Sequence, residues 1–96
     1  MNFAFRKAYF DTVATANDRV IGATHGISVM LPTASSVRSG FVLTIKDISG
    51  IAAGSNIQID RAGSDMIDGG NTLLLINSNY AAVSLFSNGV DAWYII

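Results

Sequence analysis

The chain has 96 residues, a mass of 10.1 kDa and a formal net charge of −1, which is the size of one domain. Half of its residues are hydrophobic and only 14% are charged, against about 25% in an ordinary soluble domain. There is no basic excess to bind nucleic acid, no cysteine for disulfides or thiolate metal sites, and no apolar run near the ~20 residues that span a membrane. We therefore expect no nucleic-acid partner and no membrane insertion.

Strand signals dominate the chain from residue 9 onward, whereas helical periodicity is weak. Short apolar or alternating segments are separated by turn residues about every eight to twelve positions, as in all-β domains. The clearest segment begins at Phe41, where Phe41, Leu43 and Ile45 alternate with less apolar neighbours. The predicted strands are 9–15, 19–21, 27–31, 41–46, 56–60, 73–76, 81–86 and 92–96, with a short extended piece at 66–67.

A hairpin closes the chain. Asn88–Gly89 is its strongest turn signal, because both residues take positive φ angles at little cost. In the strand that follows, Trp93 and Tyr94 are adjacent and must face opposite sides. We expect Trp93 to fill the core and Tyr94 to lie at the surface.

These elements predict an all-β fold, an antiparallel β-sandwich or jelly-roll-like single domain of about eight short strands. The domain would comprise residues 9–96, and residues 1–8 would be an N-terminal arm or a frayed lead. A small domain with so little charge leaves apolar area on its surface, which monomers rarely do. We therefore expect a homo-oligomer.

The chain offers little to catalysis, and we predict no enzyme activity, no catalytic residue and no cofactor. His25 is the only histidine, and no Gly-x-Ser-x-Gly elbow accompanies it. All seven acids are Asp, mostly at predicted turns, where Asp usually bonds to nearby backbone. Asp65, Asp68 and Asn71 supply three side chains, whereas calcium takes roughly six to eight oxygens, so a turn is favoured over a metal loop.

Several short motifs follow one another along residues 17–96. They are Asp18–Ile21, an apolar run ending in Leu31–Pro32, a strand ending in Ile45–Lys46–Asp47, the alternation Asn56–Ile59, a turn at Ile67–Gly69, and a hairpin from Ser87 to Trp93–Tyr94. Their order and spacing resemble the small β-rich module of bacteriophage fibre, spike and appendage proteins.

This resemblance implies a homotrimer along a fibre or spike, a structural role in the virion and no enzyme activity. The protein would be made in the host cytoplasm, contact other virion proteins, and present loops 22–26, 33–39 and 77–80 to a host-surface glycan or protein. The expected receptor- or partner-binding residues are His25, Arg38, Tyr80 and Tyr94.

Two other functions fit the same sequence. A capsid or tail decoration protein would use an apolar face to clamp and stabilise neighbouring subunits. A secreted carbohydrate-binding module would stack exposed aromatic rings on sugars. Images of virions with and without the protein would separate a fibre tip from a decoration protein.

Overall fold

Successive strands of the chain alternate between two β-sheets, except for the last two, which lie side by side in one sheet. The structure, a computed structural model, describes residues 5–71 and 73–96, and these form ten short strands and one 3₁₀ turn, Ala34–Ser36. The strands are β1 Phe5–Ala8, β2 Thr12–Val13, β3 Val20–Ala23, β4 Ser28–Met30, β5 Val42–Asp47, β6 Ile57–Asp60, β7 Met66–Ile67, β8 Leu74–Ile76, β9 Ala82–Ser87 and β10 Ala92–Ile95. The six-stranded sheet has the order β1-β3-β5-β9-β10-β7, and the four-stranded sheet has the order β2-β4-β6-β8.

The first six strands wind as a coil. In one sheet β1, β3 and β5 pair in parallel, and in the other β2, β4 and β6 do the same. The later strands pair mostly in the antiparallel direction: β8 with β6, β9 with β5, and β10 with β9. The exception is β7, which pairs in parallel with β10. The domain is therefore all-β with mixed sheets.

The prediction of an antiparallel sandwich or jelly roll of about eight strands is thus wrong in its strand pairing and strand number. Side chains alternate between the two faces of a strand whichever way its neighbour runs. The hydrophobic pattern identifies strands and their buried faces, but it holds no information on strand direction.

The N-terminal region also differs from the sequence prediction. Residues 1–8 are predicted to be an arm or frayed lead, yet Phe5–Ala8 forms β1 and pairs along its whole length with β3. Residues 1–4 of that segment lie outside the described residues. The predicted strand 9–15 is reduced to Thr12–Val13, because the chain bends at Tyr9 and Phe10 to cross between the sheets.

The inner faces of the two sheets meet in a single buried cluster of the described residues. Because side chains alternate along β5 and β6, every second side chain of these strands points inward and is part of this cluster. Its aliphatic members without exposed area include Ile21, Leu43, Ile45 and Leu85 from the six-stranded sheet and Val29, Ile57 and Ile59 from the four-stranded sheet.

Trp93 is the largest fully buried side chain. Its ring meets that of Phe41 edge to face, with centroids 6.2 Å apart, and its Nε1–H donates to the carbonyl of Pro32 at 3.2 Å. The next residue, Tyr94, is 39% exposed and packs against Phe86 on the outside of the sheet. The predicted division between a buried Trp93 and a surface Tyr94 is confirmed.

A charged side chain closes the first turn of the coil. Arg6 points from β1 toward β2, where it donates to the hydroxyl of Thr12 at 3.0 Å and to the carbonyl of Val13 at 3.1 Å. Its Nε also donates to the buried carboxylate of Asp18 at 2.8 Å. Burial opposes ionisation of Asp18, but the bonds from Arg6 and Thr15 outweigh it and lower the pKa of this carboxyl.

We expect Trp93→Ala to reduce the free energy of unfolding by about 3–5 kcal/mol, because it leaves a cavity and an unpaired carbonyl at Pro32. Urea unfolding followed by circular dichroism measures this loss. The control Val90→Ala, at a side chain that is 67% exposed, should stay within about 0.5 kcal/mol of the parent protein. A Trp93→Ala protein with an unchanged unfolding midpoint would contradict the assignment of this ring to the core.

Candidate functional site

The four residues predicted to bind a receptor or partner occupy three parts of the surface, and all four are exposed. His25 and Tyr80 lie at the end of the six-stranded sheet where β3 and β5 finish and β9 begins. Arg38 lies at the opposite end, in the loop before β5, and Tyr94 lies on the outer face of β10. The structure therefore brings together only His25 and Tyr80.

The end that carries His25 and Tyr80 is organised by Asp47, which closes β5 and has no exposed area. Its Oδ1 accepts bonds from the N–H groups of Ser49 at 2.9 Å and Gly50 at 3.2 Å, and from the Ser49 hydroxyl at 2.6 Å. Its Oδ2 accepts bonds from the N–H groups of Ala52 at 3.2 Å and Tyr80 at 3.0 Å. One carboxylate thus ties the loop after β5 to the loop before β9.

These bonds also fix the charge of Asp47. Burial alone would raise the pKa of its carboxyl, but the bonds donated by Ser49, Tyr80 and Ala52 favour the ionised form and hold the pKa well below its ordinary value. In the described residues Asp47 takes no part in an ion pair. Backbone N–H dipoles and one hydroxyl, rather than a cation, stabilise this buried charge.

Tyr80 is held in a defined position above the same loop. Its backbone has a φ of 59°, and a Cβ placed on Gly50 would collide with its ring. The ammonium of Lys46 donates to the carbonyl of Tyr80 and lies 5.8 Å from the ring centroid. The ring is nevertheless 60% exposed, so the structure presents a fixed aromatic surface to solvent.

The loop of His25 joins this assembly through its backbone. The N–H of His25 donates to the Ser49 hydroxyl, and the N–H of Gly26 donates to the carbonyl of Ser55, both at 3.1 Å. The side-chain carbonyl of Asn79 accepts a bond from the N–H of Ala53 at 3.1 Å. Residues 24–26, 48–55 and 77–80 therefore form one connected surface, which we call the Asp47 loop cluster.

Sequence reasoning finds two of these three loops and misses residues 48–55. The available signal is Asp47 at the end of the clearest strand, followed directly by the turn residues Ser49 and Gly50. An Asp in that position commonly accepts bonds from the N–H groups that follow it. Its bonds to Ala52 and Tyr80 depend on tertiary packing and have no local signal.

The remaining predicted loop, 33–39, belongs to the opposite end of the sheet. The carbonyl of Ala34 accepts a bond from the buried hydroxyl of Ser87 at 3.0 Å, which fixes the loop to the closing hairpin. A Cβ on Gly89 would collide with the backbone of Ser39. The exposed Arg38 is thus carried by a well-anchored loop.

The two acids considered as calcium ligands each accept a backbone hydrogen bond. Asp65 accepts the N–H of Ala34 at 2.7 Å, and Asp68 accepts the N–H of Ile95 at 3.0 Å. Asp68 and Gly69 both have positive φ angles, 51° and 78°, as a tight turn requires. The interpretation of this segment as a turn is confirmed.

Apolar side chains occupy part of the outer face of the six-stranded sheet, which also carries Thr44, Lys46 and Ser84 at outward positions. Val42, Phe86 and Tyr94 are neighbours across β5, β9 and β10, with ring centroids of Phe86 and Tyr94 5.4 Å apart. Phe5 and Ile96 lie on the same face and are 54% and 66% exposed. We call these five residues the six-stranded apolar face.

No protein-family model matches the chain, and no curated protein matches it either. Within residues 5–71 and 73–96, no helix has the length and apolarity needed to cross a membrane. The same residues contain no group of three His, Cys, Asp or Glu side chains placed to hold a metal ion. The functional argument therefore depends on the two surfaces just described, the Asp47 loop cluster and the six-stranded apolar face.

Asp47→Asn tests the organising role of the carboxylate. It replaces an acceptor oxygen by an N–H group that faces other N–H groups, so we expect a loss of about 2–4 kcal/mol of unfolding free energy at pH 7. Because folding lowers the pKa of Asp47, its contribution is complete above the ordinary carboxyl pKa and declines as pH falls below it. The gap between parent and variant should therefore shrink by about 1 kcal/mol on going from pH 7 to pH 3.

Urea unfolding at both pH values measures this gap. Asp68→Asn is the matched control: it removes the same charge from an exposed turn, asparagine tolerates the positive φ, and the Oδ1 that accepts the Ile95 N–H is kept. If the difference in unfolding free energy between parent and Asp47→Asn were the same at both pH values, the stabilising role of the ionised Asp47 carboxylate would be contradicted.

Proposed function

We propose that this chain is a non-enzymatic structural module of a bacteriophage virion, a homotrimeric fibre or spike tip whose two sheets stack as a sandwich and whose loops bind a host-surface glycan or protein. The observation that carries the proposal is the six-stranded apolar face. The motif order that resembles phage fibre modules supports the same assignment.

The six-stranded apolar face has the composition of a protein interface. Aromatic side chains such as Phe86 and Tyr94 are enriched in the cores of protein interfaces. In a contact each would bury the part of its surface that is exposed in the single chain, 39% for Tyr94. A stable contact covers about 800 Å² on each partner, which is roughly 15% of this domain's 5156 Å² of accessible surface. Subunits that contact one another through this face would remove its apolar side chains from water.

The Asp47 loop cluster is the proposed receptor-binding surface. It lies at the strand ends, and its loops are already fixed before binding, which lowers the entropic cost of recognition. The exposed ring of Tyr80 can stack on a sugar or fill a protein pocket, while His25 beside it adds a polar group. Arg38, at the opposite end, is assigned to contacts with other virion proteins.

A decoration protein is the second candidate, and the opposite sheet favours it. Val13, Met30 and Leu75 are 58%, 40% and 42% exposed on the outer face of the four-stranded sheet. A domain clamped between two capsid or tail subunits would cover both of its outer faces. Electron microscopy of virions that carry or lack the protein distinguishes the two candidates, because a decoration protein would lie on the capsid or tail surface and a tip module at the end of a fibre.

Light scattering coupled to size exclusion tests the assembly. We expect a mass of about 30 kDa, three copies of the 10.1 kDa chain, at micromolar concentration. Tyr94→Lys places a charge in the apolar face and should give a folded 10 kDa species. Val90→Lys, at the exposed hairpin turn, should leave the trimer unchanged, and a monomeric parent chain would refute the assembly.

Competition for phage adsorption tests the receptor role. The purified chain, added to cells that the parent phage infects, should reduce adsorption by occupying the receptor. Tyr80→Asn removes the ring and keeps the positive φ, which asparagine tolerates, so it should fold normally and compete at least about tenfold less well. Val90→Ala is the control, and equal competition by Tyr80→Asn would exclude the Asp47 loop cluster as the binding surface.

A further inference from the structure

A groove of about 490 Å³ crosses the outer face of the four-stranded sheet, on the side of the domain away from the six-stranded apolar face. Its volume lies within the usual range of small-ligand sites. The residues that line it lie on β2, β4 and β6 or directly before β2 and β8: Asp11, Thr12, Val13, Ser28, Met30, Gln58, Asp60 and Leu73.

The floor of the groove is apolar. Val13 on β2 pairs with Met30 on β4, so their side chains lie next to each other on the same face. In the same row Asp60 on β6 pairs with Met30 and lies between Met30 and Leu73, and the three apolar side chains are 58%, 40% and 43% exposed. An aliphatic chain laid across the sheet would cover Val13 and Met30 before it reached Asp60.

Two carboxylates line the groove, Asp11 directly before β2 and Asp60 within the row that contains Met30 and Leu73. Asp11 accepts the N–H of Ser28 at 2.8 Å through Oδ1. Asp60 accepts the N–H of Arg61 at 2.8 Å, also through Oδ1. The hydrogen bonds formed by the described residues thus leave Oδ2 of both carboxylates for a ligand.

The hydroxyl groups of Ser28 and Thr12 and the amide oxygen of Gln58 already form hydrogen bonds. Ser28 donates to the side-chain carbonyl of Gln58 at 3.2 Å, and the hydroxyl of Thr12 accepts a bond from Arg6. None of the described lining residues is aromatic, so the groove lacks a ring on which a sugar would stack. This composition favours a charged ligand with an apolar body over a neutral polyol.

The charge of the lining is negative. Arg6 and Arg61 are not among the lining residues, although Arg6 donates to Thr12 and Val13 from the side of β1. Arg6 is paired with Asp18 at 2.8 Å, and Arg61 lies 3.5 Å from Asp60. Asp11 takes no part in the ion pairs formed by the described residues. It is therefore the carboxylate best placed to bind an incoming cation.

We propose that this groove binds an alkylammonium group, such as the end of a lysine side chain. The aliphatic stem packs on Val13 and Met30, and the ammonium donates to Asp11, the lining carboxylate that has no ion pair among the described residues. The assignment does not rest on the phage role or on trimer formation, because it uses the opposite sheet.

Two matched probes test the proposal by NMR titration of ¹⁵N-labelled protein at pH 7 and low salt. Hexylammonium and 1-hexanol have the same aliphatic chain and differ in the charged head group. Hexylammonium should shift the amide signals of Val13, Met30 and Gln58 in a saturable manner, and 1-hexanol should bind about five- to tenfold more weakly. Equal affinities, or no saturable shift with hexylammonium, would overturn the proposal.

Variants complete the test. Asp11→Asn should reduce the preference for hexylammonium to less than about twofold, whereas Asp68→Asn, on an exposed turn outside the groove, should retain it. A preference retained by Asp11→Asn would overturn the proposal. Tyr94→Lys should bind hexylammonium with the affinity of the parent chain. The light-scattering result for the trimer and the NMR result for the groove can therefore fail independently of each other.

The groove has one competing occupant, a second copy of the chain. Met30→Lys fills the groove with a charged side chain, and we expect it to abolish hexylammonium binding without changing the mass measured by light scattering. If the mass of Met30→Lys were lower than that of the parent protein, the groove would be part of a contact between subunits, and this result would overturn the proposal.

Discussion

The buried charge of Asp47 is the constraint on which the loop-bearing end of the domain depends. Its carboxylate accepts bonds from four backbone N–H groups and one hydroxyl of the described residues, spread over residues 49–52 and Tyr80. An ionised carboxylate has about four lone-pair sites and no donor, so it suits a cluster of N–H groups that would otherwise be buried unpaired. The loops at this end need no regular secondary structure of their own, because one strand-terminal side chain supplies their bonds.

Asp18 is a second buried carboxylate that accepts several hydrogen bonds, at the first turn of the coil. A stack of parallel strands leaves an exposed last layer, which in repetitive folds requires a polar cap. Arg6 supplies it by crossing from β1 to β2, and Asp18 neutralises the guanidinium. The chain is poor in charge, yet two of its seven carboxylates are buried at the margins of the core, where each meets N–H or guanidinium donors.

Local patterns predict much of this structure and tertiary pairing accounts for the rest. The alternation in β5 and β6, the position of the closing hairpin and the opposite orientations of Trp93 and Tyr94 are all visible in the sequence, because each depends on neighbouring residues alone. The predicted positive φ at both Asn88 and Gly89 is wrong: only Gly89 has one, 77°, and residues 88–91 connect β9 to β10. The parallel coil has no such signal, since a strand alternates in the same way beside either kind of neighbour. The strand at Phe5–Ala8 and the bond from Asp47 to Tyr80 likewise depend on segments distant in the chain.

The low charge of the chain has a different consequence on each outer face. Outward positions of β5, β9 and β10 carry Val42, Phe86 and Tyr94 at one end of the sheet, with Thr44 and Lys46 further along β5 and no acid among these outward residues. The end around Phe86 therefore gains from contact with another apolar surface. On the four-stranded sheet, Asp11 and Asp60 border Met30 and interrupt the apolar area. Covering that face with an apolar partner would desolvate two carboxylates, at a cost that a cation in the groove would offset. The domain therefore presents two chemically distinct faces, and only the six-stranded one suits tight self-association.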